Sequence, residues 1–371
     1  VQARERVREA VLTVADPGAV LLTQDDARLL KARAEGLFYD TGLRIAFTNG
    51  FPVVVEVRDG SPAAEAEIEP GCVLESLDGQ STAEQQLPDL RRRLRDHEPG
   101  KVELVLREED NGTRTVVLTK RAGQLPAVEK TEVFPLGLRY LQVNTLSEGA
   151  AAGISEALQA WSSEGAFGVV LDLRGAGGAD IESVSAIVDL LARPGETRFS
   201  FEDAAGREIK TYRAGDGAPL GMPVMVLVDE ETTGAAELLA AAVSGSGRGA
   251  MLLGRPTGGD PLIRDKVELP EGEWVYIATR RLVTGGGKVY DGKGGVKPDV
   301  TVVLRDRSYR DYEPPPPILT DRRETTEEEK ETLKLRNRTR GDVALTRAVD
   351  VLLGLKALDI HGFGFEPRPE G

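Results

Sequence analysis

A hydroxyl, a carboxylate or an exposed backbone N–H does peptide chemistry most readily where a chain turns sharply at the end of a buried strand. One stretch of this sequence has that form. Residues 223–243, PVMVLVDEETTGAAELLAAAV, join an apolar run, Val224–Val228, through polar turn-prone residues to an Ala/Leu-rich segment. The pattern predicts a buried strand, a tight corner and a helix. Such a corner points a side chain and the first helical N–H groups into a cleft, where many folds place a nucleophile. Here the corner carries Gly234, which has no side chain, with Thr232 and Thr233 before it and Glu237 after it. The threonine hydroxyls can be read as substitute nucleophiles or as caps of the helix that follows, the commoner use of such groups. Ser244 and Ser246, in the glycine-rich SGSGRG loop, read as turn residues.

Composition narrows the remaining chemistry. The chain of 371 residues carries 61 acidic and 47 basic residues, a net charge of −14. That balance argues against nucleic acid or an anionic membrane as the main partner. A single cysteine, Cys72, excludes an intramolecular disulfide and a cysteine metal cluster. The two histidines, His97 and His361, have no ligand-like spacing, so neither a metal nor a cofactor is expected. Nothing approaches the ~18 apolar residues of a membrane span. A start at Val1 fits the removal or trimming of a leader, so composition assigns no compartment.

The elements that must hold the corner follow from periodicity. Residues 1–38 read as a helical cap, with helices over 2–14 and 24–36. From 39 to 121, short apolar runs (Leu43–Phe47, Val53–Val57, Val73–Leu77, Val102–Leu106 and Thr115–Leu118) alternate with Asn-Gly and Asp-Gly turns. They predict a small antiparallel β domain interrupted by one helix, Leu87–Asp96. Residues 122–136 read as a linker. Over 137–312, strands that are apolar throughout alternate with helices, as in an α/β layer whose mostly parallel sheet is covered on both faces. Residues 313–371 open with Pro314–Pro317 and continue as a charged helix, Thr325–Arg336, and an amphipathic one, Asp342–Leu358. The second has a stripe of Leu345, Ala348, Val349, Leu352 and Leu355 and an N-cap at Asp342. That stripe should dock on the chain's own core, with a homodimer through the terminal helices as the alternative.

This order of elements resembles the bacterial carboxyl-terminal processing (tail-specific) protease family, whose small domain is a PDZ module. The likeness covers roughly residues 24 to 304. Residues 60–79, GSPAAEAEIEPGCVLESLDG, resemble the family's PDZ sequence, with Cys72 where an aspartate is usual. VVLDLRGAGG at 169–178 resembles its Leu-Asp-Leu-Arg-Gly-Asn-Pro-Gly-Gly segment with one residue missing, and GKGGVKPDV at 292–300 resembles its Gly-Ile-x-Pro-Asp segment. The resemblance implies a ClpP/crotonase-like protease core beside the PDZ domain. It also implies a Ser/Lys dyad, with the serine three residues before a glutamate and the lysine about 25 residues later.

Matched residue by residue, Glu237 takes the glutamate position and Gly234 the serine position, while GRPTGGD at 254–260 puts Asp260 where the lysine is usual. Glycine supplies no oxygen, and an aspartate base has nothing beside it to activate. Water activated between Glu237 and Asp260, as between paired carboxylates, is one alternative. Arg264 or Lys266 as a substitute base is another. The resemblance makes Arg174, Gly175, Gly177 and Gly178, together with Ala235, an oxyanion-like loop; a strand-to-helix turn needs the same glycines for its backbone. In the PDZ module, Gly42, Leu43, Arg44 and Ile45 would capture a terminal carboxylate. Leu87, Leu90 and Leu94 would line the opposite groove wall or pack internally.

The expectation is therefore a non-catalytic homologue, a pseudoprotease, that binds a peptide or protein C-terminus. A serine-type peptidase with a rearranged site and a structural or assembly subunit are the alternatives. By resemblance the protein is periplasmic or otherwise extracytoplasmic.

Overall fold

The computed structural model describes residues 19–23, 32, 36–48, 51–83, 85, 87–96, 98–108, 112–124, 126–203, 205–244, 249–259, 263–268, 274–290, 294–302, 326–339, 342–361 and 366–367. The helix expected over 2–14, nearly all of that over 24–36, the Pro314–Pro317 run, Ser246, His97 and Asp260 lie outside the described residues. The chain divides into two compact units, one within Leu29–Leu125 and one within Pro126–Val303 that also takes in the C-terminal helices.

The smaller unit contains β1 (Leu37–Asp40), β2 (Leu43–Thr48), β3 (Phe51–Val57), the one-turn helix α1 (Pro62–Glu65), β4 (Val73–Leu77), α2 (Leu87–Leu94), β5 (Lys101–Arg107), β6 (Thr113–Thr119) and β7 (Arg121–Gln124). An antiparallel sheet runs in the order β2-β3-β4-β5-β6, which leaves β2 at an edge. Along β5 the alternation is strict: Val102, Leu104 and Leu106 enter the core and their neighbours do not. The expected helix 87–96 stops at Leu94, because Arg95–Asp96 form a short strand on β1. Part of the expected linker is also a strand, since β7 pairs with β1 and closes the unit.

The larger unit begins with β8 (Val128–Val133) and β9 (Leu138–Val143), then α3 (Ala150–Ser163), β10 (Gly168–Asp172), α4 (Ile181–Asp189), β11 (Thr197–Glu202) and β12 (Glu208–Arg213). It continues through β13 (Val224–Val228), α5 (Gly234–Val243), β14 (Ala250–Gly254), β15 (Ile263–Glu268), β16 (Trp274–Thr284), β17 (Val300–Thr301), α6 (Glu327–Thr339) and α7 (Val343–Ala357). The main sheet has the order β8-β9-β10-β13-β14-β17. It is parallel from β9 to β17, with β8 antiparallel at one edge. The remainder of the expected linker is thus an edge strand, its polar alternation matching a position where only one side pairs.

Strands apolar throughout need two partners, and β13 has them. Val224, Val226 and Val228 pack with the helices α3, α4 and α5. Met225 and Leu227 point the other way, onto Leu335 of α6 and Ala348, Val349 and Leu352 of α7. The C-terminal segment is therefore the second helical layer of the sheet rather than an appendage, and the stripe of α7 buries on its own core as expected. Close approach depends on Gly168, where a Cβ would stand 2.6 Å from Leu352 Cδ2. A second, antiparallel sheet forms around β16, with β11, β12 and β15; the 197–213 hairpin went unread because its apolar run is short and its outer face charged.

Candidate functional site

The corner forms as the sequence requires. β13 ends at Val228 and α5 starts at Gly234, one turn after Asp229. Thr232 is fully buried. Its hydroxyl donates to the Leu173 carbonyl at 2.9 Å and accepts from the Asp229 N–H at 3.1 Å, so it ties the corner to the end of β10 rather than capping the helix. Thr233 is the N-cap residue, yet its side chain makes no capping bond and stays exposed. Its N–H donates to Ala176 O at 3.0 Å. Neither threonine caps α5 through its hydroxyl, contrary to the commoner use of such residues.

Gly234 has φ +55. A Cβ built there would lie 2.4 Å from the Gly178 carbonyl oxygen, well inside van der Waals contact. Gly178 is equally constrained: its φ is +110, and a Cβ would fall 2.4 Å from Leu146 O, because residues 177–178 pair in parallel with 145–146. Only glycine meets both demands, an unusual φ and a neighbouring backbone where a side chain would begin.

Glu237, in the first turn of α5, is fully buried. Its Oε1 accepts the Thr257 hydroxyl and, at 2.9 Å, the Gly259 N–H. The Thr257 oxygen in turn accepts the Val296 N–H at 2.7 Å, and the Gly258 N–H donates to Thr232 O at 3.0 Å. The carboxylate thus pins the 255–259 loop against the start of the helix. Asp260 follows that loop outside the described residues, so no geometry bears on a Glu237–Asp260 pair. Ser244 caps the far end of α5 through its backbone. The Arg264 side chain is likewise outside the described residues, whereas Lys266 lies with its Nζ 4.0 Å from the Trp274 ring centroid.

The glycine loop turns inward. Arg174 does not face the corner: its Nε and Nη2 donate to Asp172 at 2.9 and 2.6 Å, and its Nη1 and Nη2 to Asp342 at 2.9 and 2.6 Å. Asp172 also accepts the Tyr140 hydroxyl at 2.8 Å. Burial, reinforced by the Asp172 charge and that hydrogen bond, holds the Tyr140 phenol well above its ordinary pKa. Asp342 caps α7 by accepting the Leu345 N–H at 3.0 Å, so one arginine joins the end of β10 to the start of the C-terminal helix. Of the loop's backbone donors, Arg174 N–H bonds Asp172 Oδ1, Gly175 N–H bonds Asp229 Oδ1 at 3.0 Å and Gly177 N–H bonds Asn144 O at 3.2 Å. These three donors of the expected oxyanion-like loop are committed to separate acceptors within the protein, which leaves Gly178 and Ala235, in the first turn of α5, as its remaining backbone donors. Ala235 is buried behind Gly234. Burial raises the Asp229 carboxyl above its ordinary pKa, an effect that the Gly175 N–H opposes and the Glu230 charge reinforces.

In the smaller unit, Gly42 has φ +86 and its N–H donates to Asp40 Oδ1 at 2.9 Å; the Leu43 N–H reaches Thr41 Oγ1 at 3.4 Å. The Leu43 and Ile45 side chains are buried, and Arg44 pairs with Glu56 at 3.5 Å on the surface. Leu90 and Leu94 are 0% and 1% exposed and belong to the core, which corrects their placement in a groove wall. Helical spacing alone cannot tell an inward stripe from a groove-facing one. The Leu87 side chain lies outside the described residues. Sequence reasoning overlooked Arg91, whose guanidinium reaches the Ile45 carbonyl from α2. Its signal was its place one residue after Leu90, off the core stripe.

No helix among the described residues is long and apolar enough to cross a membrane. Residues 137–302 match peptidase family S41, and residues 53–108 match the PDZ domain. The carboxyl-terminal-processing protease of Picosynechococcus sp. is 31% identical over 289 residues, covering 76% of this chain and 69% of that protein. The chloroplastic C-terminal processing peptidase of Tetradesmus obliquus is 28% identical, over 81% of this chain and 68% of its own length. The chain spans only 59% of the length of the chloroplastic carboxyl-terminal-processing peptidase 2 of Arabidopsis thaliana. Among solved structures, the photosystem II D1 C-terminal processing protease superposes with a TM-score of 0.52 at 27% identity, covering 80% of this chain and 81% of that one. With an S41-type core of mixed sheets and helices and a PDZ module, the chain belongs to the carboxyl-terminal processing proteases of peptidase family S41.

Proposed function

We infer that this chain is a non-catalytic member of its family, a pseudoprotease that binds peptides or protein C-termini through its PDZ and α/β domains. The observation that carries this reading is Gly234. The residue matched to the nucleophile has no side-chain oxygen, and a Cβ at its position would stand 2.4 Å from the Gly178 carbonyl oxygen. Asp260 at the matched base position removes the second reagent. The test is a peptidase assay on disordered and C-terminal-tail substrates, for which no turnover is expected. Cleavage that survives repurification and disappears in Thr233→Ala or Asp260→Asn would overturn the reading.

One observation favours a rearranged serine-type peptidase as the second reading: the exposed Thr233 hydroxyl stands beside the corner without a capping bond. Covalent labelling of Thr233 by a fluorophosphonate probe would support that reading, and its absence supports the first. An extracytoplasmic location is proposed on family membership alone and is tested by cell fractionation.

A further inference from the structure

The open edge of the PDZ sheet is already in use. Strand β2 pairs with β3 on one side and, at the other edge, runs beside α2. A peptide that joins this sheet as a new strand must donate its N–H groups to the carbonyls of that edge. One of them, Ile45 O, accepts two bonds from Arg91 of α2, from Nε at 3.3 Å and Nη2 at 3.1 Å. The guanidinium therefore stands where a peptide N–H would be. Arg91 itself is exposed, beside the buried stripe of Leu90 and Leu94 on α2.

We propose that Arg91 is a specificity-determining plug of this groove: it holds the Ile45 carbonyl in the absence of ligand, and it selects extended peptides that carry an Asp or Glu side chain able to take the guanidinium when the peptide displaces it. This rests on the reading of the PDZ unit as peptide-binding. Exchange favours an acidic ligand because a guanidinium loses hydrogen bonds to a neutral carbonyl and gains charge-assisted ones to a carboxylate. A ligand with only neutral side chains offers the displaced guanidinium no carboxylate in exchange. Arg44 does not offer this choice, since it is engaged with Glu56 on the neighbouring strand.

The test uses the full chain and fluorescein-labelled peptides that end in leucine with a free carboxylate, in pairs that carry Glu or Gln at each successive position before the terminus. Fluorescence anisotropy should find one position at which wild type binds the Glu peptide about fivefold more tightly than the Gln peptide. Arg91→Ala should erase that difference and bind the Gln peptides at least as tightly as wild type does. Arg91→Lys, which keeps the charge, should retain part of the preference. Thermal unfolding of each variant should match wild type, as expected for an exposed side chain. An unchanged Glu/Gln ratio in Arg91→Ala, with peptides bound by both proteins, overturns the role of Arg91 and leaves peptide binding standing. Binding of no peptide by either protein overturns both.

Discussion

Two regions of this molecule were expected to meet a peptide, and they are built in opposite ways. At the corner of the α/β unit, backbone meets backbone: Gly234 lies against Gly178 O, Gly178 against Leu146 O, and the Arg174, Gly175 and Gly177 N–H groups bond to acceptors of their own. At the edge of the PDZ sheet, a carbonyl that a ligand would need is held by one long, exposed side chain. The first arrangement opens only if main chain moves, the second if a single rotamer changes. On the pseudoprotease reading proposed above, the corner keeps its packing residues without its reagents, and only the fold constrains it. A groove that depends on strand pairing keeps its edge whatever the ligand.

The largest effect that would break this comparison lies beneath the corner. Arg174→Ala leaves the buried Asp172 carboxylate without its cation and should destabilise the α/β unit by about 3–5 kcal/mol, read by hydrogen exchange of β10 and α7. Exchange in β5 of the PDZ unit should be unaffected. The corresponding change in the small unit, Leu90→Ala, should cost about 2–5 kcal/mol there, as a core leucine does. Local exchange measures it, and a loss of peptide affinity without a loss of stability would return Leu90 to the groove wall.

A smaller effect sharpens the contrast at the corner itself. Gly234→Ser should lower stability by about 1–3 kcal/mol through its left-handed φ and the contact with Gly178 O, measured by denaturant unfolding. Joined with Asp260→Lys it should give no hydrolysis; strong hydrolysis by the pair would mean that geometry had survived and only chemistry had been lost. The smallest effect concerns Asp229. Its folded pKa is raised, so its contribution is present at low pH and lost as pH rises through that value. Asp229→Asn should therefore gain on wild type as pH rises from the ordinary carboxylate range through the raised folded pKa. Parallel stability curves for the two proteins would contradict the shift.

Much of this arrangement was legible in residue order. The all-apolar run Val224–Val228 reads as a strand buried on both faces and the stripe on 342–358 as a docked helix, and Asp342 caps it as its residue type suggests. Local rules sufficed because each feature depends on neighbours within a turn or a strand. The strand inside the expected linker, the Arg174 clamp on Asp342, the inward course of the glycine loop and the reach of Arg91 to Ile45 O were not legible. The two side-chain contacts join residues far apart in the chain, 168 positions for Arg174 and Asp342 and 46 for Arg91 and Ile45. Sequence by itself determined that the corner carries glycine where a serine is matched, since that is a matter of composition at one position. Only the tertiary structure decided that a serine there has no room, because the obstructing carbonyl arrives from a different loop that the sheet brings alongside.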